Sequence, residues 1–238
     1  MMKRITKKII LVAVALTSAV GWFSPTSAET PKLVQFHMAF LSLGPKWEST
    51  TRQERESILK QHQVTALAML KSGKAIIISS IGHDPDRVVI FILRAPSAAE
   101  AKAWVDADPA VNAGLYIAEM HPWWSEDIFK PPNSPPAIET VYLGFLKKGP
   151  NRKEGDDETP EIQELQTAHI ANINRLAKLK KLVAAGPFGD DGNLRGIFVF
   201  RVASLQEAQE LCATDPMIKI GRLVVELHPW RVPEGVLP

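Results

Sequence analysis

EAKAWVDADPAVNAGLYIAEMHPWW, residues 100–124, decides the fold, because its pattern returns as EAQELCATDPMIKIGRLVVELHPW at 207–230. Glu-Ala, Asp-Pro, Gly and Glu-x-His-Pro-Trp recur at one offset, so Asp108, Gly114, Glu119 and His121 correspond to Asp215, Gly221, Glu226 and His228. Residues 62–123 align with 169–230 without a gap, and 18 of the 62 pairs are identical. The offset falls by two at the first strands, where Phe40, Gly44 and Pro45 meet Phe145, Gly149 and Pro150, so two residues are inserted in the loop that follows. Self-similarity of this kind marks a duplicated structural unit.

Within one copy the local signals follow in order. Val34, Phe36, Met38 and Phe40 alternate with Gln35, His37 and Ala39, which predicts a strand with one core face and one face that is not core. Thr51 and Glu54 form a capping box for a helix that stops at Gly73. The β-branched runs at 75–81 and 88–94, separated by Gly82 to Asp86, predict a hairpin. Ser97 and Glu100 predict a second cap and helix, and 115–121 a last strand. The second copy repeats the order, with Thr159 and Pro160 opening its first helix and Ser204 with Glu207 its second.

Strand, helix, strand, strand, helix, strand is the ferredoxin-like split arrangement, with both helices on one face of an antiparallel sheet. The fold class is therefore α+β, two βαββαβ units at 29–124 and 139–232. Pro131, Pro132, Pro135 and Pro136 make 125–138 a semi-rigid spacer, and 233–238 is a short tail. A bare sheet face rich in Leu and Val is too large an apolar patch for a soluble monomer to expose. The two units are thus expected to pack sheet to sheet as an intrachain pseudo-dimer; further self-association stays open.

The first 28 residues read as an export signal: Lys3, Arg4, Lys7 and Lys8, then an apolar run, then Thr26-Ser27-Ala28 as a small-residue cleavage site. The apolar run is too short and too interrupted for a membrane span, so the mature chain is expected in the periplasm or outside the cell, with no stable membrane insertion. The chain carries 28 Lys and Arg against 26 Asp and Glu, and the leader holds four of the basic residues, leaving 24 against 26. That balance gives no basic footprint for nucleic acid. The single cysteine, Cys212, excludes an intramolecular disulfide and reads as packed.

Two sets of polar residues stand out in both copies. His62 and His169 each fall on or beside an apolar helical stripe, and each is followed 46 residues later by the Asp of an Asp-Pro pair, Asp108 or Asp215. A carboxylate beside an imidazole fixes its tautomer and suits it to general acid–base work. The plainer reading is that Asp caps a short turn that Pro begins, and that His is a satisfied core residue. The second set is Glu119 with His121, and Glu226 with His228, each pair sharing one face of the last strand and looking toward where the units meet. His37 and Tyr142, on the first strands, are expected to face the same way. Two ligands per copy fall short of a usual metal site, so none is expected.

These residues resemble the YCII-related domains, also called YciI-like proteins. The resemblance rests on His62 and His169, on Ala185-Gly186-Pro187-Phe188, on the Ser-x-x-Glu-Ala helices, and most specifically on AWVDADPAVNAGLY at 103–116. It implies the dimeric α+β barrel type of ferredoxin-like fold and an active site centred on His62 with Asp108 and on His169 with Asp215; no cofactor is expected. Glu119, His121, Glu226, His228, His37, Tyr142, Gly186 and Pro187 are counted as candidate ligand contacts. Where the second copy has Gly186-Pro187-Phe188 the first has Ser79-Ser80-Ile81, a difference expected to reshape the pocket beside His62. The function expected is a cofactor-independent lyase, isomerase or hydrolase acting on a small molecule, against a non-catalytic ligand-binding or structural module.

Overall fold

A computed structural model describes residues 32–82, 87–133, 135, 137–153 and 155–238; the expected export signal and most of the first hairpin turn lie outside the described residues. The first copy runs β1 (Leu33–Leu43), α1 (Arg52–Lys71), β2 (Ala75–Ser80), β3 (Val89–Leu93), α2 (Ala98–Asp106), α3 (Pro109–Asn112) and β4 (Tyr116–Glu126). The second runs β5 (Ile138–Lys148), α4 (Pro160–Lys178), β6 (Leu182–Pro187), β7 (Leu194–Phe200), α5 (Leu205–Cys212), α6 (Pro216–Lys219) and β8 (Leu223–Pro233). The sheets have equivalent antiparallel orders, β2-β3-β1-β4 and β6-β7-β5-β8. This is the ferredoxin-like arrangement twice over.

The helices begin where the sequence places their caps. Thr51 and Glu54 complete the reciprocal capping box of α1, and Ser97 and Ser204 accept from the backbone N–H of Glu100 and Glu207. Both Asp-Pro pairs open single-turn helices, with Asp108 and Asp215 as the N-caps of α3 and α6.

Strand alternation sorts the core into three layers. Phe36, Met38 and Phe40 of β1 meet Leu143 and Phe145 of β5 in a layer shared by the two sheets. Ala39 and Leu41 face the other way, into the layer under the first copy's helices, and Leu146, Phe198 and Phe200 do the same in the second. The expectation that one face of β1 is not core is corrected: His37, Ala39 and Leu41 are buried as well. Alternation shows that two faces differ, but a strand covered by helices on one side and a second sheet on the other is buried on both.

The sheet edges are joined too. Trp123 pairs with Phe188 and Ile81 with Trp230; Gly189 N donates to Pro122 O at 2.7 Å and Gly82 N to Pro229 O at 3.3 Å. These contacts place the end of β6 against β4 and the end of β2 against β8, so that part of each outer edge is covered. The spacer is not the unpacked segment its prolines suggest. Ile128 and Phe129 pack on the shared core, and Lys130 N and Asn133 N donate to Val236 O and Glu234 O of the tail. Val236 and Leu237 are themselves buried, so spacer and tail together cover one end of the shared core.

Candidate functional site

Helix α1 presents His62, Ala66 and Met69 to the sheet, and the turn before α3 brings Asp108 beneath the imidazole. His62 Nδ1 lies 2.9 and 2.8 Å from the two oxygens of Asp108. Asp108 is fully enclosed, and its Oδ1 also accepts from Ala110 N at 2.9 Å. The second copy builds the same pair: His169 Nδ1 lies 2.7 Å from Asp215 Oδ2, while Oδ1 accepts from Met217 N at 2.9 Å. The catalytic-pair reading and the plain capping reading thus describe one and the same carboxylate. Its backbone bonds fix it, and it fixes the ring.

A carboxylate can only accept, so Nδ1 carries the proton and Nε2 of the neutral ring is left with the lone pair. Neither Nε2 bonds a described residue, and neither is sealed from solvent. His62 sits edge-on to Tyr116, with centroids 5.7 Å apart, and His169 lies along Phe198 at 6.0 Å. Such an imidazole can take a proton from a small molecule and return it. Cys212, near the second pair, cannot compete as a nucleophile: burial first, and Asp215 second, push its thiol up to about 12.

The second polar set lies on the opposite face of the sheets. His121 Nδ1 meets Asp190 Oδ2 of the other copy at 2.7 Å, and its Nε2 is 3.1 Å from Glu119 but off the hydrogen-bond direction. His228 Nε2 bonds Glu226 Oε1 at 2.7 Å, and Lys147 also reaches Glu226. Burial raises the Glu226 carboxyl, yet the hydrogen bonds from Lys147 and His228 outweigh it and hold the group below the usual range. Arg87 packs over the Phe145 ring at 4.4 Å and the Phe40 ring at 5.7 Å. These groups belong to the junction between the copies and do not join either His–Asp pair.

His37 and Tyr142 do not share that face. His37 pairs with Leu93, on the helix-covered side, and Tyr142 packs on the helix-side core of the second copy. Their parity along the strand, opposite to Phe36 and Leu143, requires it. Gly186 and Pro187 end β6 at the junction rather than shaping a wall beside a His: Trp123 Nε1 donates to Gly186 O at 3.2 Å. The first copy's counterpart, Ser79, accepts from Trp230 Nε1 at 2.7 Å. The Ser79/Gly186 difference therefore falls at the seam.

Sequence reading passed over Tyr116, Trp47, Asn172 and Arg222. Asn172 Nδ2 lies 3.5 Å from Asp215 Oδ2. Arg222, almost fully enclosed where the first copy has Leu115, bonds both Asp156 oxygens at 2.7 Å. The mismatch of Leu115 with Arg222 in the repeat alignment was the available signal. Among the described residues no group of three or more His, Cys, Asp or Glu side chains is placed to hold a metal ion. No helix among them is long and apolar enough to cross a membrane.

Two antiparallel sheets with their helices outside and their bare faces together define a dimeric α+β barrel built within one chain. Solved structures share the architecture: a mutant chlorite dismutase from Candidatus Nitrospira defluvii aligns at a TM-score of 0.56 and 12% identity, over 85% of this chain and 92% of its own. A heme-binding protein from Thermus thermophilus aligns at 0.50 and 16%, over 86% and 94%. The model of the YCII-related domain matches residues 142–231. The uncharacterized protein YjpA of Bacillus subtilis (strain 168) is 31% identical over 70 residues, 29% of this chain and 80% of that protein. The chain belongs to the YCII-related domain family.

Proposed function

We propose that this is an exported small-molecule enzyme in which His62 with Asp108, and His169 with Asp215, act as general acid–base pairs in a cofactor-independent elimination, isomerisation or hydrolysis. One observation carries the reading. Each Asp is enclosed and held by backbone N–H groups, binds Nδ1 of its His, and so leaves Nε2 as the free functional atom. A ring oriented by a buried carboxylate is prepared for proton transfer without reorganisation at the moment of reaction.

The structurally similar heme-binding protein raises haem as a cofactor, and the residues around His169 do not fit one. An axial donor must face a slot wide enough for a flat macrocycle. His169 lies along Phe198 instead, and Leu176, Phe198, Phe200 and Cys212 fill the layer between α4 and its sheet. A second reading, a ligand-binding module without turnover, is favoured by the capping role of both Asp residues, which would keep them in place regardless of chemistry.

The test is a metabolite screen comparing the native chain with the His62→Ala, His169→Ala double variant. Turnover lost in the double variant supports the acid–base role, and turnover that survives it ends the proposal; binding without turnover in the native chain supports the second reading. Imidazole 15N shifts check the geometry independently: Asp215→Asn should redistribute the His169 tautomers, and an unchanged pattern would contradict the pairing. For export, the secreted or periplasmic protein should begin near Glu29.

A further inference from the structure

We propose that Tyr116 is a second functional group of the first site, donating its hydroxyl to a carbonyl oxygen of the molecule engaged by His62 Nε2, and that the second site has no such donor. The inference rests on the reading of the His–Asp pairs as ligand sites.

Tyr116 is the first residue of β4, and its ring stands edge-on to His62 at 5.7 Å. Trp47 stacks on it with centroids 5.8 Å apart and planes 16° from parallel, and the Arg55 guanidinium covers Trp47 at 5.3 Å. Arg55 is tied in turn to Thr50 O at 2.8 Å and to Trp47 O. This three-layer stack holds the phenol in one orientation. The residue is buried, yet its hydroxyl bonds no described residue and is not sealed from solvent. Burial first, and the negative charge of Asp108 second, push the phenol above its usual range, so the hydroxyl keeps its proton and can only serve as a donor or neutral acceptor. A proton-accepting nitrogen and a fixed O–H donor on neighbouring rings are what a carbonyl substrate needs. One group works at the reacting atom, and the other stabilises the charge that develops on oxygen.

The second copy lacks every layer of this device. Leu223 replaces Tyr116 and is packed in the core, Arg152 replaces Trp47 and bonds Asp157, and Ile162 replaces Arg55 and packs on the helix-side core. In its place Asn172 approaches Asp215 and accepts from Arg175 at 2.7 Å, where the first copy has Thr65 and Ala68. The pairs are duplicated, but their surroundings have diverged in chemistry.

Diethyl pyrocarbonate tests this directly, since it is itself a carbonyl electrophile for Nε2. The Nε2 lone pair forms the N–C bond and the carbonyl π pair moves to oxygen, where the Tyr116 hydroxyl donates. That pair then returns, ethyl carbonate leaves with its bonding electrons, and the ring passes its Nδ1 proton to the Asp108 carboxylate. Rates are read peptide by peptide by mass spectrometry on the full chain. His62 should be acylated faster than His169, and Tyr116→Phe, which keeps the aromatic stack, should slow His62 about tenfold while leaving His169 unchanged, as loss of one hydrogen bond to a charged oxygen predicts. Equal rates at both residues, or a Tyr116→Phe rate like the native one, would overturn the role of Tyr116 and leave the His–Asp reading standing. If neither His reacts until the chain is unfolded, Nε2 is closed and both fall together.

Discussion

Trp230 Nε1 donates to Ser79 Oγ at 2.7 Å, joining the last strand of the second copy to an edge strand of the first. The symmetry-related bond runs from Trp123 Nε1 to the Gly186 carbonyl at 3.2 Å. Each copy therefore anchors a tryptophan of its last strand in the other. The recurrent His-Pro-Trp of the sequence acquires a structural reason in this exchange.

Both indoles are fully enclosed, so Trp230→Ala should remove about 3–5 kcal/mol of stability, the usual range for deleting a large aromatic from a core. Ser79→Ala should cost about 1–3 kcal/mol, because it leaves the buried indole N–H without an acceptor. Urea denaturation of the three proteins gives these differences. A Ser79→Ala variant as stable as the native chain would show that the bond contributes nothing net.

Gly186 is fixed by space. A Cβ placed on it would stand 1.8 Å from Trp124 O, a backbone atom that cannot swing aside, whereas a Cβ on Gly82 would find nothing closer than Pro229 O at 3.6 Å. Gly186→Ala should thus lower Tm by several degrees, through overpacking of about 1–3 kcal/mol or more. Gly82→Ala should leave Tm nearly unchanged. Equal melting of the two variants in calorimetry would show that the strands part freely at this seam.

Much of this was legible in the chain because the repeat supplied every local signal twice. The caps at Thr51, Ser97 and Ser204, the stop at Gly73 and the turn chemistry of both Asp-Pro pairs are local and were read correctly. The pairing of His62 with Asp108 was legible because a polar residue on an apolar stripe needs a partner, and the fixed spacing named one. What remained hidden depends on contacts far apart in sequence. Which face of β1 looks toward the helices is not encoded in its alternation, since both faces are buried. Gly186 meets Trp124, and Arg222 meets Asp156, only after the fold has closed.

Arg222 gives a test of opposite signs. Its hydrogen bond holds the Asp156 carboxyl below the usual range, so this contribution is present above the unfolded value of 3.8 and is lost as pH falls through the lower folded value. Arg222→Leu, which restores the residue of the first copy, should leave stability at neutral pH close to native, since a buried ion pair is often replaceable by an apolar side chain. It should also flatten the acid limb of the stability profile. Asp156→Ala with Asp157→Ala should be the more damaging change, because it strands an enclosed guanidinium. If Arg222→Leu destabilises more than the double Asp variant, the pair holds the inserted loop more strongly than desolvation arguments allow.

Cys212 closes the question of a nucleophile in the second copy. Its side chain is buried between α5 and the sheet, and burial, assisted by the charge of Asp215, moves its thiol from 9.0 up to about 12. The folded protein holds this proton more tightly than the unfolded chain. The associated stability is therefore complete below about pH 9 and disappears as pH rises toward 12. Two measurements follow. A thiol-reactive disulfide reagent at pH 8 should leave native Cys212 unmodified and react once urea unfolds the chain, because the thiolate is the attacking species. In Cys212→Ala the alkaline decline in stability should be shallower than in the native chain. Fast labelling of the native protein would mean that the thiol is open and ionised beside Asp215, and a cysteine nucleophile would then have to be considered in place of His169.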